Sequence, residues 1–113
     1  MMNNVSLVGR LVKDAEVLSF KNSDKMALKF TIAVERTYRN AKGEKGVDFI
    51  QIIYFTQFAD KLSKYVIKGK RVGVIGRLAV NSYVDENNIK RYQTNVVADN
   101  IQFLDKIERQ EIV

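Results

Sequence analysis

Thr37-Tyr38-Arg39-Asn40-Ala41-Lys42-Gly43-Glu44-Lys45-Gly46-Val47-Asp48-Phe49-Ile50-Gln51-Ile52-Ile53-Tyr54-Phe55 passes from a polar, basic, glycine-punctuated loop into a strongly apolar strand. Aromatic rings stand at both ends and in the middle, with cationic side chains between them. Side chains alternate between faces along a strand. Residues 47–55 therefore put Phe49, Gln51, Ile53 and Phe55 on one face and Ile50, Ile52 and Tyr54 on the other. Both faces are apolar, whereas a barrel strand turns only one face inward. The outward face needs a cover: another subunit, a helix or a ligand. Flat rings for bases and positive charge for phosphates are what a single strand of nucleic acid requires of its binder.

Toward the N-terminus, Leu28, Phe30, Ile32 and Val34 share one face of a strand over 26–34, and a polar loop follows over 35–46. Val5, Leu7 and Leu11 mark an earlier strand, interrupted by Gly9 where a bend or bulge is expected. Lys13-Asp14-Ala15-Glu16 is a polar break, after which Val17–Phe20 continues that strand. Toward the C-terminus, Phe58, Ala59, Leu62, Tyr65 and Val66 recur at helical spacing, with Thr56 as N-cap and Gly69 as the glycine beyond the C-terminus. A fourth strand is expected to turn Val72, Val74, Leu78 and Val80 inward, bending at Gly73 and Gly76. A polar turn at Asp85–Asn88 leads to a fifth strand from Tyr92 to Ala98, which Ile101, Phe103 and Leu104 extend. Three strands, one helix and two strands describe an all-β, five-stranded barrel with one short helix between strands 3 and 4. That is the oligonucleotide-binding (OB) fold, although another small β-barrel fits the same order.

A chain of 113 residues with 46% apolar content implies one domain with a core of its own. It is expected over residues 1–105, with a short C-terminal extension over 106–113. The chain has no cysteine and no histidine, which removes thiol nucleophiles, disulfides and the usual zinc sites. No cofactor or metal is expected. No apolar run is long enough to span a bilayer, and the N-terminus lacks the pattern of a signal peptide, so a cytoplasmic protein is expected. The formal charge of +6 suits a polyanionic partner or simply a soluble basic protein. Asp48 and Asp60 have no histidine, cysteine or phosphate loop to work with, and Asp14 and Glu16 read as a polar turn, so no enzyme is expected.

The chain resembles the bacterial and phage single-stranded DNA-binding protein family. The resemblance rests on an ordered set: Met2-Asn3-Asn4-Val5, Leu7-Val8-Gly9-Arg10-Leu11, Lys13-Asp14 with Glu16, Phe30-Thr31-Ile32-Ala33-Val34, Asp48-Phe49-Ile50, Lys68-Gly69, Val72-Gly73-Val74 with Gly76-Arg77-Leu78, and Tyr92 before Val96-Val97-Ala98. It covers about residues 2–104. It implies sequence-nonspecific binding and protection of single-stranded DNA in replication, repair and recombination, by a homotetramer. It places the stacking positions on Tyr38, Phe49, Phe55 and Tyr83, where many members carry tryptophan and this chain has none. Tyr54, Tyr65 and Tyr92 read as structural residues.

Phosphate contacts are expected from Arg36, Arg39, Lys42, Lys68, Arg77 and Arg91. The run Ala79-Val80-Asn81-Ser82 is neutral where members often have extra basic residues. Cellular members also carry a flexible linker and an acidic tip that recruits replication and repair proteins; residues up to Val113 contain neither. Two other readings share the barrel: an RNA-binding OB module, and a primosomal accessory subunit that works through protein contacts.

Overall fold

The computed structural model describes residues 2–21 and 23–105. The extension expected over 106–113 lies outside the described residues. Among the described residues there are six strands: β1 (Val5–Leu11), β2 (Glu16–Ser19), β3 (Met26–Arg39), β4 (Lys45–Phe55), β5 (Arg71–Val84) and β6 (Lys90–Phe103). One helix, α1 (Ala59–Ser63), lies between β4 and β5. The sheet order is β1-β5-β6-β4-β3-β2, and an added β1–β3 pairing closes it into a barrel. β1 and β2 are the two halves of one bent first strand, since both run antiparallel to β3. Leu11 opposes Ile32 and Glu16 opposes Lys29, so Val12–Ala15 bulge opposite Thr31 and Phe30. The five-stranded barrel with a helix before its fourth strand is therefore the expected one.

Closure happens where β1 changes partners. Val5–Arg10 pair with β5, and Arg10 and Leu11 pair with β3. The strands cross so tightly that a Cβ on Gly9 would sit 2.8 Å from the Ala33 carbonyl oxygen. Inside, Leu11, Leu28, Phe30, Ile32, Ile52, Val72, Val74, Val96, Ala98 and Ile101 form a buried core. Ala59 of α1 and Val66 after it are fully buried and join that core, and the helix packs on β2 and β3.

Several details differ from expectation. The helix is shorter than its apolar spacing, and Thr56 does not cap it. Its hydroxyl accepts the Phe58 N–H at 3.1 Å in a turn before the helix. Gly69 has φ 91° as expected of a glycine position, but in the turn closed by Lys70 N–H to the Ile67 carbonyl, well past the helix end. Leu78 and Val80 are exposed, not core. They share parity with Val72 and Val74, yet Leu78 sits at the open mouth of the barrel, lining a hollow with Val5, Leu7 and Ile50, and Val80 lies beyond it, where β5 and β6 run on as a long hairpin arm. β3 and β4 likewise continue to Arg39 and from Lys45, where a loop is expected over 35–46.

At the root of the β5–β6 arm the register slips between Ile75↔Asn100 and Gly76↔Ala98, leaving Asp99 as an extra residue in β6. The bulge restores the inward direction of Ala98 and Val96 after Ile101. It also drives the β6 backbone against Gly76, whose absent Cβ would collide with the Val97 carbonyl and lie 2.8 Å from Ala98 Cα. These are backbone atoms and cannot rotate away. Gly76→Ala is expected to cost about 1–3 kcal/mol or more in urea unfolding. Gly73→Ala, whose Cβ would meet nothing closer than 3.8 Å, is expected to stay within about 0.5 kcal/mol of the parent. Equal effects of the two would contradict the account of the bulge.

Candidate nucleic-acid interface

Directly opposed residues of neighbouring strands share a face, and the register defines the barrel's outer surface. Phe49, Gln51, Ile53 and Phe55 of β4 point outward, with Ile53 opposite Val97 of β6, whose face continues along that strand through Asn95, Gln93 and Arg91. Those in turn lie opposite Arg77, Ala79, Asn81 and Tyr83 of β5. Gln93 Nε2 donates to Gln51 Oε1 at 3.1 Å and ties the two strands together on this face. Phe49, Phe55 and Tyr83 are 69%, 51% and 53% exposed. The core is complete without them, with Ile52 of the same strand fully buried. Five of the expected residues, Phe49, Phe55, Tyr83, Arg77 and Arg91, thus share one continuous outer surface. Tyr83 lies within β5 and not in a loop, because the arm pairs out to Val84↔Lys90.

Tyr38, Arg36, Arg39 and Lys42 sit at the far end of the β3–β4 hairpin. Tyr38 is 62% exposed and lies within β3. The hairpin turn is built on Asn40, whose Oδ1 accepts the N–H groups of Lys42 and Glu44 at 2.9 and 3.0 Å. Arg39 braces the same turn by donating to the Gly43 carbonyl at 2.8 Å. Arg36 donates to both carboxylate oxygens of Asp48, at 2.7 to 3.1 Å, and to the Tyr38 hydroxyl at 3.3 Å. Its guanidinium carbon lies 6.0 Å from the Tyr38 ring centroid. Arg36 therefore orients an exposed ring, with its charge partly balanced by Asp48. Lys68 is elsewhere, in the connection from α1 to β5, with its N–H bound to Asp14 Oδ1 at 2.8 Å.

A family model described as the single-strand binding protein family matches residues 2–104. The chain belongs to that family. It is 45% identical over 105 residues to the protein named single-stranded DNA-binding protein 1 of Staphylococcus aureus (strain MSSA476), across 93% of this chain and 67% of that one. It is 41% identical over 105 residues to the single-stranded DNA-binding protein of Streptococcus mutans serotype c (strain ATCC 700610 / UA159), across 93% and 63%. The barrel is also similar to a solved structure described as a Plasmodium falciparum SSB complex with ssDNA, with a TM-score of 0.80 and 23% identity over 93% of this chain and 97% of that one. At that identity the likeness concerns the fold.

In this single-strand binding family member the cations divide into two kinds. Arg36 and Arg91 are held by carboxylates, Arg91 donating to Asp85 at 2.8 Å across the β5–β6 turn. Arg77, Lys42 and Lys68 have no ion pair among the described residues. Two residues escape sequence reasoning. Tyr92, expected to be structural, is 67% exposed on the inner face of the β5–β6 arm, with Lys90 Nζ 5.7 Å from its ring. Its period-two parity with buried Val96 disguises it, because sequence does not show where the barrel ends and the arm begins. Asn95 is buried, and its Oδ1 has no partner among the described residues. No sequence signal marks it.

Three carboxyls are held below the ordinary aspartate range. Asp48 is lowered first by the Arg36 hydrogen bond, and Asp85 by Arg91 and then the Ile89 N–H. Asp105 is lowered by the Arg71 N–H and then the Arg71 guanidinium, a clasp between the start of β5 and the end of β6. A depressed folded value stabilises the native state above the unfolded carboxyl pKa of about 4. That stabilisation is lost as pH falls through the folded values. Thermal unfolding followed from neutral to acid pH is expected to show a falling midpoint below about pH 4. Combined Asp48→Asn, Asp85→Asn and Asp105→Asn is expected to flatten that acid limb, and an unchanged limb would show that these contacts do not form in solution.

Proposed function

We propose that the chain binds single-stranded DNA with little sequence preference, stacking bases on Tyr38, Phe49, Phe55 and Tyr83 and holding phosphates with the surrounding cations. The observation that carries this reading is the pair of phenylalanines facing out from β4 over a core already filled, continuous with Tyr83 through β6 and β5. Large exposed rings on a barrel surface need a ligand with flat apolar faces. Bases meet that need, and a π face accepts all of them, so the contact is sequence-tolerant. No bond is made or broken; the action is reversible coating of the strand. Protection of single-stranded DNA during replication, repair and recombination in the cytoplasm is the role that follows.

A homotetramer is part of the proposal. Ser6 and Val8 of β1 oppose Ile75 and Gly73 of β5, and Gly73 opposes Gln102 of β6, so all five share an outer face. Val8 and Ile75 there, with Leu104 just past β6, are exposed and line a shallow hollow of about 250 Å³. An apolar patch beside a strand with a partly open edge supports pairing between copies. Light scattering of the parent is expected to give the mass of four chains, and Val8→Asp to give a smaller species. A monomeric parent would overturn this part.

Titration of poly-dT at several salt concentrations is expected to show affinity falling steeply with salt. Arg77→Ala is expected to reduce the slope of log affinity against log salt by about 1. Arg91→Ala, whose guanidinium is already balanced by Asp85, is expected to reduce it less. Tyr38→Ala with Phe55→Ala is expected to lose about 1–3 kcal/mol per stacked base while folding normally. Parent-like affinity in that double variant would remove the stacking assignment.

A further inference from the structure

Phe20 stands just past β2, and its ring is 40% exposed. It stacks on Phe55, with centroids 6.0 Å apart and planes at 28°. The register explains how residues so distant in sequence meet. Ala27 of β3 opposes Leu18 of β2 on one side and Phe55 of β4 on the other, so the ends of β2 and β4 converge across the start of β3. Phe55 also lines a cleft of about 350 Å³ with Lys25, Met26, Thr56 and Gln57. The barrel core does not account for this pair, because the interior is filled by Leu28 and Ile52, both fully buried, while Ala27 lies on the pair's own outer face.

Resting on the reading of the β4 face as the base-stacking surface, we infer that Phe20 is a further stacking position. The exposed side of Phe20 takes the next nucleobase of the same strand, beyond the base on Phe55 and its cleft. The rings already form an offset stack at their separation, so the base lies against the outer side of the pair and not between them. Lys21 and Lys25 flank the site and suit the phosphates on either side, against Asp24 as the carboxylate of this connection among the described residues. Continuity with Phe49 and Phe55 carries the strand from β4 over the β2–β3 end of the barrel. The occupant is thereby a nucleobase of bound single-stranded DNA and not a separate small molecule.

Fluorescence polarisation with labelled oligo-dT of increasing length tests this in the full chain. Phe20→Leu keeps apolar packing against Phe55 but has no flat π face. Both Phe20→Ala and Phe20→Leu are expected to weaken binding of the longer oligomers about fivefold or more. Lys25→Gln is expected to reduce the salt slope by about 1. If Phe20→Leu binds as the parent does while Phe49→Ala is weakened, Phe20 merely packs on Phe55: the inference is overturned and the β4 reading stands. If Phe20→Ala does not fold, Phe20→Leu alone decides. If the parent does not bind oligo-dT at low salt, the β4 reading falls and the inference with it.

Discussion

Closure of the sheet by β1 is the constraint on which the rest depends. Arg10 is the shared residue, paired to Arg71 of β5 and to Ala33 of β3. Once the sheet closes, every strand has one face inside and one outside, and the interior is finite. Ile52, Phe30, Ile32, Val72 and Val74 fill it. Phe49 and Phe55 then have no interior to enter, whatever their hydrophobicity. An aromatic surface follows from a full core. Where β3–β4 and β5–β6 outrun the barrel, the same logic exposes Tyr38, Tyr83 and Tyr92, since a two-stranded arm has no second wall.

The arms stay ordered by polar contacts instead of by a core. Asn40 organises one turn, and Asp85 the other, where it accepts the Asn87 and Ile89 N–H groups and the Arg91 guanidinium. These are exposed interactions and individually weak. They also consume charge. Arg36 and Arg91 serve the protein's own structure first, whereas Arg77 and Lys42 have no ion pair among the described residues. Net charge sets the attraction, while pairing decides which side chains act on it.

Much of this was legible in the sequence. Alternation set Ile50, Ile52 and Tyr54 on one face and Phe49 and Phe55 on the other, because period two survives any strand that does not bulge, and the family resemblance chose the second as the outward one. The strand-strand-strand-helix-strand-strand order and the bend at Lys13–Glu16 were equally readable. Val80 and Tyr92 were misread for one reason: parity gives a face, but only tertiary structure says whether a wall stands opposite. The Asp99 bulge, the Arg36–Asp48 pair and the Phe20–Phe55 stack depend on cross-strand register, which no local pattern reports. Strand ends in polar segments were also hidden, since Glu35–Arg39 has loop-like composition and is held as strand by its partner.

The central claim is that the outward rings, and not the core, receive the bases. Aromatic-proton NMR during titration with oligo-dT tests it most directly. The account predicts upfield shifts at Tyr38, Phe49, Phe55 and Tyr83 from the ring currents of stacked bases, with the buried Phe30 ring unmoved. Binding that leaves those four rings unshifted, or moves Phe30 as much as Phe49, would contradict it.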